Sequence, residues 1–241
     1  SVKDQILDSL PVTVALTIGA AVLWLLIGIP IGIISAIRRG SLLDRAAMIF
    51  ALIGVSAPIF WLGLVLLYVF HFRLGWLPTA GLPKGQSVLE SVAQGYFVLP
   101  WFSLAITSAA FYSRMTRGNL IETMAEDYIR TARAKGISER RVIFRHGLRA
   151  ALTPVVTMFG MDVAFLLGGA VITESVFQLP GLGQYALVSL YAADFPAVMG
   201  VTLLGAFFIV VANFIVDVLY AWADPRLRRL TSPRTISISL L

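Results

Sequence analysis

Few residues in this chain could carry chemistry. Its 241 residues include 13 acids, two histidines and no cysteine, which excludes disulfides and cysteine-ligated metals. His71 and His146 fall on different expected segments with no cluster of ligating residues beside either, so both read as non-metal. No nucleophile, base and orienting group stand together as an enzyme would need, and no catalytic residue is assigned. No GxxxxGK[ST] phosphate loop is present, so the chain is not expected to hydrolyse ATP itself. Polar chemistry is instead concentrated in one run from Glu122 to Arg141 and in isolated groups within apolar surroundings: Asp162, Glu174, Asn213 and Asp217. The first pattern fits a docking surface. The second fits polar sites inside a membrane bundle.

The elements that must position these groups follow from composition. Apolar residues make up 58% of the chain and charged residues only 13%, about half the charge of an ordinary soluble domain. Uncharged runs at 12–37, 46–70, 91–113 and 195–216 each exceed the roughly 20 residues that cross ~30 Å of hydrocarbon. A fifth, 150–173, is interrupted only by Asp162. Helices satisfy their own backbone hydrogen bonds in lipid, so the expected fold is all-α, a polytopic membrane helical bundle with spans at about 12–37, 46–70, 94–116, 150–173 and 197–222. Residues 1–10 read as a short extracytoplasmic or interfacial segment, 11–223 as one transmembrane domain, and 224–241 as a cytoplasmic tail.

The net charge of +6 is explained by topology and not by nucleic acid. With the loop 114–149 placed in the cytoplasm, only Lys3, Arg73 and Lys84 of the 19 cations fall outside, as the positive-inside rule requires. Five spans with a cytoplasmic C-terminus put Ser1 outside, and no signal peptide opens the chain. An upstream membrane helix is therefore expected. Gly28 and Gly32 have the small-xxx-small spacing that admits a neighbouring helix, or they are an incidental pair. Pro30 and Pro58 are expected to kink their spans. Trp24 and Trp61 fall mid-span and are expected to pack. The stretch 174–196, centred on Pro180-Gly181-Leu182-Gly183, predicts an outer turn flanked by short helices.

Within the loop 118–149, helix formers run to Lys135, Gly136 offers a left-handed stop, and Ser138 is placed to cap a second helix. Ile121, Ala125, Tyr128 or Ile129, and Ala132 share one side at helical spacing. Ala132 and Ala134 are small enough to let a second protein approach. The pattern alone leaves two readings open, contact with anionic lipid headgroups or docking of a protein partner.

Read together, Tyr128-Ile129-Arg130-Thr131-Ala132-Arg133-Ala134-Lys135-Gly136 and Arg145-His146-Gly147-Leu148-Arg149 resemble the cytoplasmic "EAA" loop of binding-protein-dependent ABC importer permeases. The version in the dipeptide, oligopeptide and nickel permease family is the most similar. Pro58-Ile59-Phe60-Trp61-Leu62-Gly63, Leu74-Gly75-Trp76-Leu77-Pro78, Gly168-Gly169-Ala170, Glu174-Ser175-Val176-Phe177, Pro180-Gly181-Leu182-Gly183 and Asp217-Val218-Leu219-Tyr220 also resemble that family in order and spacing. Against the general EAA pattern, Arg130 and Thr131 replace the Glu and first Ala, and Arg149 replaces the late Pro, as the peptide-type subfamily does.

The resemblance implies a type I ABC importer permease, multi-pass in the bacterial inner membrane, that moves peptides by alternating access. Glutathione-like and nickel-complex substrates are admitted too. Implied partners are a second homologous permease, two ATP-binding subunits that hold the ATP and Mg, an extracytoplasmic substrate-binding protein and membrane lipid, with no nucleic acid. Tyr128, Arg130, Thr131, Ala132, Arg133, Ala134, Lys135 and Gly136 would couple to the ATPase. Asp162 and Asn213 would line the translocation path, although Asp162 also reads as an interhelical contact, and Asn213 and Asp217 as partners of an arginine. Glu174 reads either as support for its turn or as part of the outer mouth. The rival is a stand-alone secondary transporter or channel, which predicts an internal repeat and grouped midplane acids. Neither is present.

Overall fold

A computed structural model describes residues 1–223, with residues 217 and 219–223 placed as backbone only; the tail 224–241 lies outside the described residues. Twelve helices follow in order: α1 (Val2–Ile37), α2 (Leu42–Ser56), α3 (Ile59–Leu66), α4 (Val88–Ala93), α5 (Val98–Thr123), α6 (Asp127–Ala134), α7 (Glu139–Arg141), α8 (Leu148–Ala151), α9 (Thr153–Leu167), α10 (Val171–Val176), α11 (Leu182–Tyr191) and α12 (Phe195–Ala223). Wide π-type turns extend α3 through Leu67–Arg73 and join α7 to α8 through Val142–Gly147. The described residues contain no strand.

Two helices, α1 and α12, are long and apolar enough to cross a membrane alone. Residues 2–10 are not a separate segment but the opening turns of α1. Ser1 caps this helix and Asp4 completes the capping box, satisfying N–H groups that the first turn leaves free. At 36 residues, α1 is about 54 Å long and overruns a ~30 Å hydrocarbon core. It continues unbroken through Pro11 and Pro30. The expected kink at Pro58 is a full break: α2 and the Ile59–Arg73 helix meet at 101°, while Glu139–Ala151 and Thr153–Leu167 meet at 44°. Each bent pair is one broken span or a re-entrant loop. The 26-residue α5 corresponds to the expected span 94–116. It carries Ser103, Thr107, Ser108 and Ser113 and is shielded by α1, α2 and α3. A central helix has less need of lipid-soluble side chains than one facing lipid.

The packing of α1 on α5 is set by glycine. A Cβ at Gly28 would lie 2.9 Å from the Ala109 carbonyl oxygen, and one at Gly32 would lie 2.6 Å from that of Ser113. The expected close approach of helices is therefore present, backbone against backbone. Nearer the α1 N-terminus, the Trp101 indole covers Gly19 and donates to the Ala15 carbonyl oxygen at 3.0 Å. Trp24 is buried as expected, its ring 5.9 Å from that of Tyr112 and 6.0 Å from that of Phe159. Trp61, expected to pack, is 51% exposed. The break at Pro58 turns its helix so that Gly63, two residues later, is the face that meets Val176 and Phe177.

The stretch 174–191 folds as the two short helices and turn that its glycines imply. Glu174 is fully buried. Its carboxylate accepts from the Thr13 hydroxyl at 2.8 Å, from the Gln184 N–H at 2.9 Å and from the Ala170 N–H at 3.3 Å. Thr13 in turn accepts from the Leu182 N–H at 2.8 Å. A buried carboxylate is tolerable only when its lone pairs are met by donors, and here they also stitch α10 and α11 to α1. Gly181 leaves room for this acid, since a Cβ there would lie 2.5 Å from its carboxyl carbon. Gly169, at φ +118°, lies against the Gly183 backbone in the same way.

Three outcomes are expected. Gly32→Val should force α1 and α5 apart and cost about 1–3 kcal/mol, as overpacking does. Gly118→Ala, with open space around its Cβ, should be neutral or slightly stabilising. Thermal denaturation of the detergent-solubilised protein compares the two. By the same assay, Gly181→Ala should destabilise the wild type markedly but cost much less in a Glu174→Ala background, because the clash is with that side chain.

Candidate functional site

The charged run is held away from the bundle by a second turn that the sequence reading did not place. Instead of one continuous helix to Lys135, α5 ends at Thr123, residues 124–126 turn, and α6 runs for only eight residues. Isolated helices this short do not persist in water, so packing and end bonds must fix α6. Its Ile129 is fully buried and its Ala132 is 8% exposed, both packed with Val142, Met124 and Ile137. The inward residue at the ambiguous pair is therefore Ile129, while Tyr128 is 46% exposed. Ala132, expected to offer a partner close approach, faces its own chain. The amphipathic period puts it on the Ile129 side, where the return segment fills the space.

The far end of α6 closes as its glycine predicts. Gly136 adopts φ +75°. Its N–H donates to the Arg133 carbonyl oxygen at 2.9 Å and the Ile137 N–H to that of Ala132 at 3.3 Å. This is the paired bonding of a Schellman stop, with Ile137 making the accompanying apolar contact. Arg133 donates two hydrogen bonds across the turn to Glu139, at 2.7 and 3.1 Å. The pair holds the Glu139 carboxyl below the usual carboxylate range, although exposed pairs of this kind contribute only about 0.2–1 kcal/mol. Ser138 is the residue before α7, as expected, but its hydroxyl makes no capping bond. Beneath the turn, Gly147 passes Met124, and a Cβ there would lie 2.7 Å from the methionine sulfur.

The result is a stiff knuckle whose outer surface carries Tyr128, Arg130, Thr131, Arg133, Ala134, Lys135 and Gly136, all exposed. Arg130 pairs with exposed Asp127, at 3.3 Å. No group on this surface is placed to break a covalent bond. It can present cations, a flat Ala–Lys–Gly end and a tyrosine to another protein.

Two polar residues at the root of the knuckle were missed by the sequence reading. Arg117, on the last two turns of α5, grips Asp44 with both prongs: Nε to Oδ1 at 2.7 Å and Nη2 to Oδ2 at 2.9 Å. The Ser35 hydroxyl also donates to Oδ1, and the Gly40 N–H donates to Oδ2 at 2.8 Å. The Asp44 side chain is 5% exposed and that of Arg117 25%. Gly40, at φ +79°, reverses the chain so that the end of α1 and the start of α2 converge on one carboxylate. A signal existed, because Asp44 is the single acid in the basic turn 38–45. Its placement after Ser41 reads equally well as ordinary helix capping.

The intramembrane groups are not brought together. Asp162, partly exposed on α9, accepts from the Tyr112 hydroxyl at 2.7 Å, an α5–α9 contact. Asn213 is exposed on α12, and no hydrogen bond joins it to Asp162. The side chain of Asp217 lies outside the described residues. Among the described residues no group of three or more His, Asp or Glu could hold a metal ion.

The oligopeptide transport system permease protein AppB of Bacillus subtilis (strain 168) is 41% identical over 227 residues, covering 94% of this chain and 72% of the relative. The di/tripeptide transport system permease protein DppB of Pseudomonas aeruginosa (strain UCBPP-PA14) is 40% identical over 246 residues, with 94% and 73% covered. The glutathione transport system permease protein GsiC of Escherichia coli (strain K12) is 41% identical, with 94% and 71% covered. In fold, the chain resembles an inward-facing MetNI methionine ABC transporter chain, with TM-score 0.70, 20% identity and 91% and 96% of the two chains covered. It also resembles a chain of an amino acid ABC transporter, with TM-score 0.67, 16% identity and 90% and 93% covered. Residues 28–229 match the family described as binding-protein-dependent transport system inner membrane component. The chain therefore belongs to that family and is a pore-forming permease of an ABC importer, a membrane component and not the catalytic subunit.

Proposed function

We propose that this chain forms one half of a peptide-import pore, pairing with a second permease, and that α6 is the helix through which two ATP-binding subunits drive it. The observation that carries this reading is the exposed, rigidly closed knuckle of α6 and Gly136, joined to the central helix α5 by only three residues. A short helix on a fixed root transmits a push with little loss, as rigid-body switching between inward- and outward-facing states demands. The distribution of cations supports a cytoplasmic position for the knuckle and the C-terminus. ATP and Mg belong to the partner subunits, and no cofactor is assigned to this chain. The named relatives favour di- and oligopeptides, with glutathione as a related cargo. An extracytoplasmic binding protein would deliver the cargo to the opposite end. Asp162 and Asn213 are assigned to the path. Tyr112 donates to Oδ2 of Asp162, and Oδ1 is the atom assigned to meet a passing ammonium group.

The test is Gly136→Val in the assembled transporter. A β-branched residue at φ +75° is strained by about 1–2 kcal/mol, enough to open the stop of α6. Uptake of labelled dialanine into proteoliposomes should fall at least tenfold, while the variant still inserts in the membrane. Undiminished uptake with normal ATP hydrolysis counts against the coupling assignment. Asp162→Asn should lower uptake of dialanine more than that of its N-acetyl derivative, which lacks the cation. Equal effects on both would leave the residue an interhelical contact only.

A further inference from the structure

The Asp44–Arg117 clasp lies where α6 begins to act on the bundle. Arg117 is six residues before the end of α5, and the carboxylate it grips is held by donors from the end of α1 and the α1–α2 turn. An aspartate taking four donors, two from a guanidinium, is ionised and directionally fixed. A buried pair of this kind adds little net stability, since desolvation offsets much of the Coulomb attraction, but removing one partner is costly. Stability alone therefore does not account for it. Helices α1 and α5 are already locked through Gly28 and Gly32, whereas α2 meets α5 closely at one glycine, Gly54, whose Cβ would lie 3.0 Å from that of Ala110. Only Asp44, Ala51 and Gly54 of α2 are buried, and Ile49, Phe50, Leu52 and Ile53 are all more than half exposed.

We propose that Asp44 and Arg117 are positioning residues for transport: their clasp makes α2 move with α5 when the ATP-binding subunits displace α6. This rests on α6 being the coupling helix. Hydrocarbon-facing contacts between α2 and α5 permit sliding, because lipid tails replace lost apolar contacts at little cost. A two-pronged ion pair resists sliding and rotation together, and lysine could not reproduce that grip. The clasp thus converts a push at one end of α5 into movement of α2 and, across the 101° break, of α3.

The chain has no cysteine, so single labels can be introduced cleanly. A spin label at Ile53→Cys reports α2, and one at Glu122→Cys reports the end of α5. Both positions are exposed and lie outside the clasp. Spectra are recorded for the full transporter in nanodiscs, without nucleotide and with ATP plus vanadate. In the wild type both labels should change on trapping. With Asp44→Asn the Glu122 label should still change while the Ile53 change falls at least threefold. ATP hydrolysis should stay within about twofold of wild type and dialanine uptake per ATP should drop about tenfold. Arg117→Lys should give an intermediate loss with an unchanged thermal midpoint. An undiminished Ile53 response in Asp44→Asn overturns the proposal. So does failure of both variants to assemble, which would make the pair a folding element. If the Glu122 label in the wild type does not respond, it is the coupling role of α6 that falls instead.

Discussion

Everything in this bundle is arranged around the approach of α1 to α5, backbone against backbone, at Gly28 and Gly32. Two helices in lipid gain nothing from leaving the hydrocarbon, so dispersion contacts and hydrogen bonds must hold them together. Removing two side chains lets the Ala109 and Ser113 carbonyls sit where β-carbons would otherwise be. That closeness brings Trp24 onto Tyr112 and Phe159 and, through Tyr112, orients Asp162.

Both polar networks solve the same problem. Each places an acid in surroundings that would not tolerate it alone, and each surrounds that acid with donors from elements far apart in sequence. At one end Glu174 is met by Thr13, by the Gln184 N–H at the start of α11 and by the Ala170 N–H before α10. At the other, Asp44 is met by Ser35, Gly40 and Arg117. The difference is instructive. Glu174 bonds mainly to backbone, which cannot move without unfolding its turn, while Asp44 bonds to a side chain on a helix leading straight to α6. The first network suits a fixed frame and the second a joint.

Features encoded by a single residue and its immediate neighbours were legible in the sequence. Gly136 stops α6 because its positive φ and the bonds to Arg133 and Ala132 are local properties. The Gly28–Gly32 spacing and the hairpin around Pro180–Gly183 were visible for the same reason. What escaped depended on a partner the pattern could not name. Asp44 carries an evident capping role that hides a bond to a residue 73 positions away. Ala132 is small and near a turn, yet whether it faces inward depends on Val142 returning beneath it. Trp61 was read from its mid-span position with only a kink expected at Pro58, where the chain turns by 101°. Chain direction after a proline is set by what the next segment packs against, here Val176 and Phe177, and hydropathy carries no trace of that.

The knuckle shows why a short helix can serve as a mechanical part. Eight residues of α6 have too few internal bonds to nucleate alone, and its outward face is charged and solvated. Its shape depends on three constraints. The turn at 124–126 is tied by Ala125 and Glu126 N–H groups to carbonyl oxygens at the end of α5, the apolar cluster grips Ile129 and Ala132, and Gly136 closes the far end. Each constrains a different degree of freedom: direction, rotation about the axis, and length. With all three in place, a force on Lys135 or Arg130 does not deform α6 and reaches α5 instead. Weakening any one leaves the exposed surface chemically intact but lets the force dissipate locally. In the coupling role proposed for it, the chemistry of the knuckle would govern whether a partner binds, and its backbone geometry whether that binding does mechanical work on the pore.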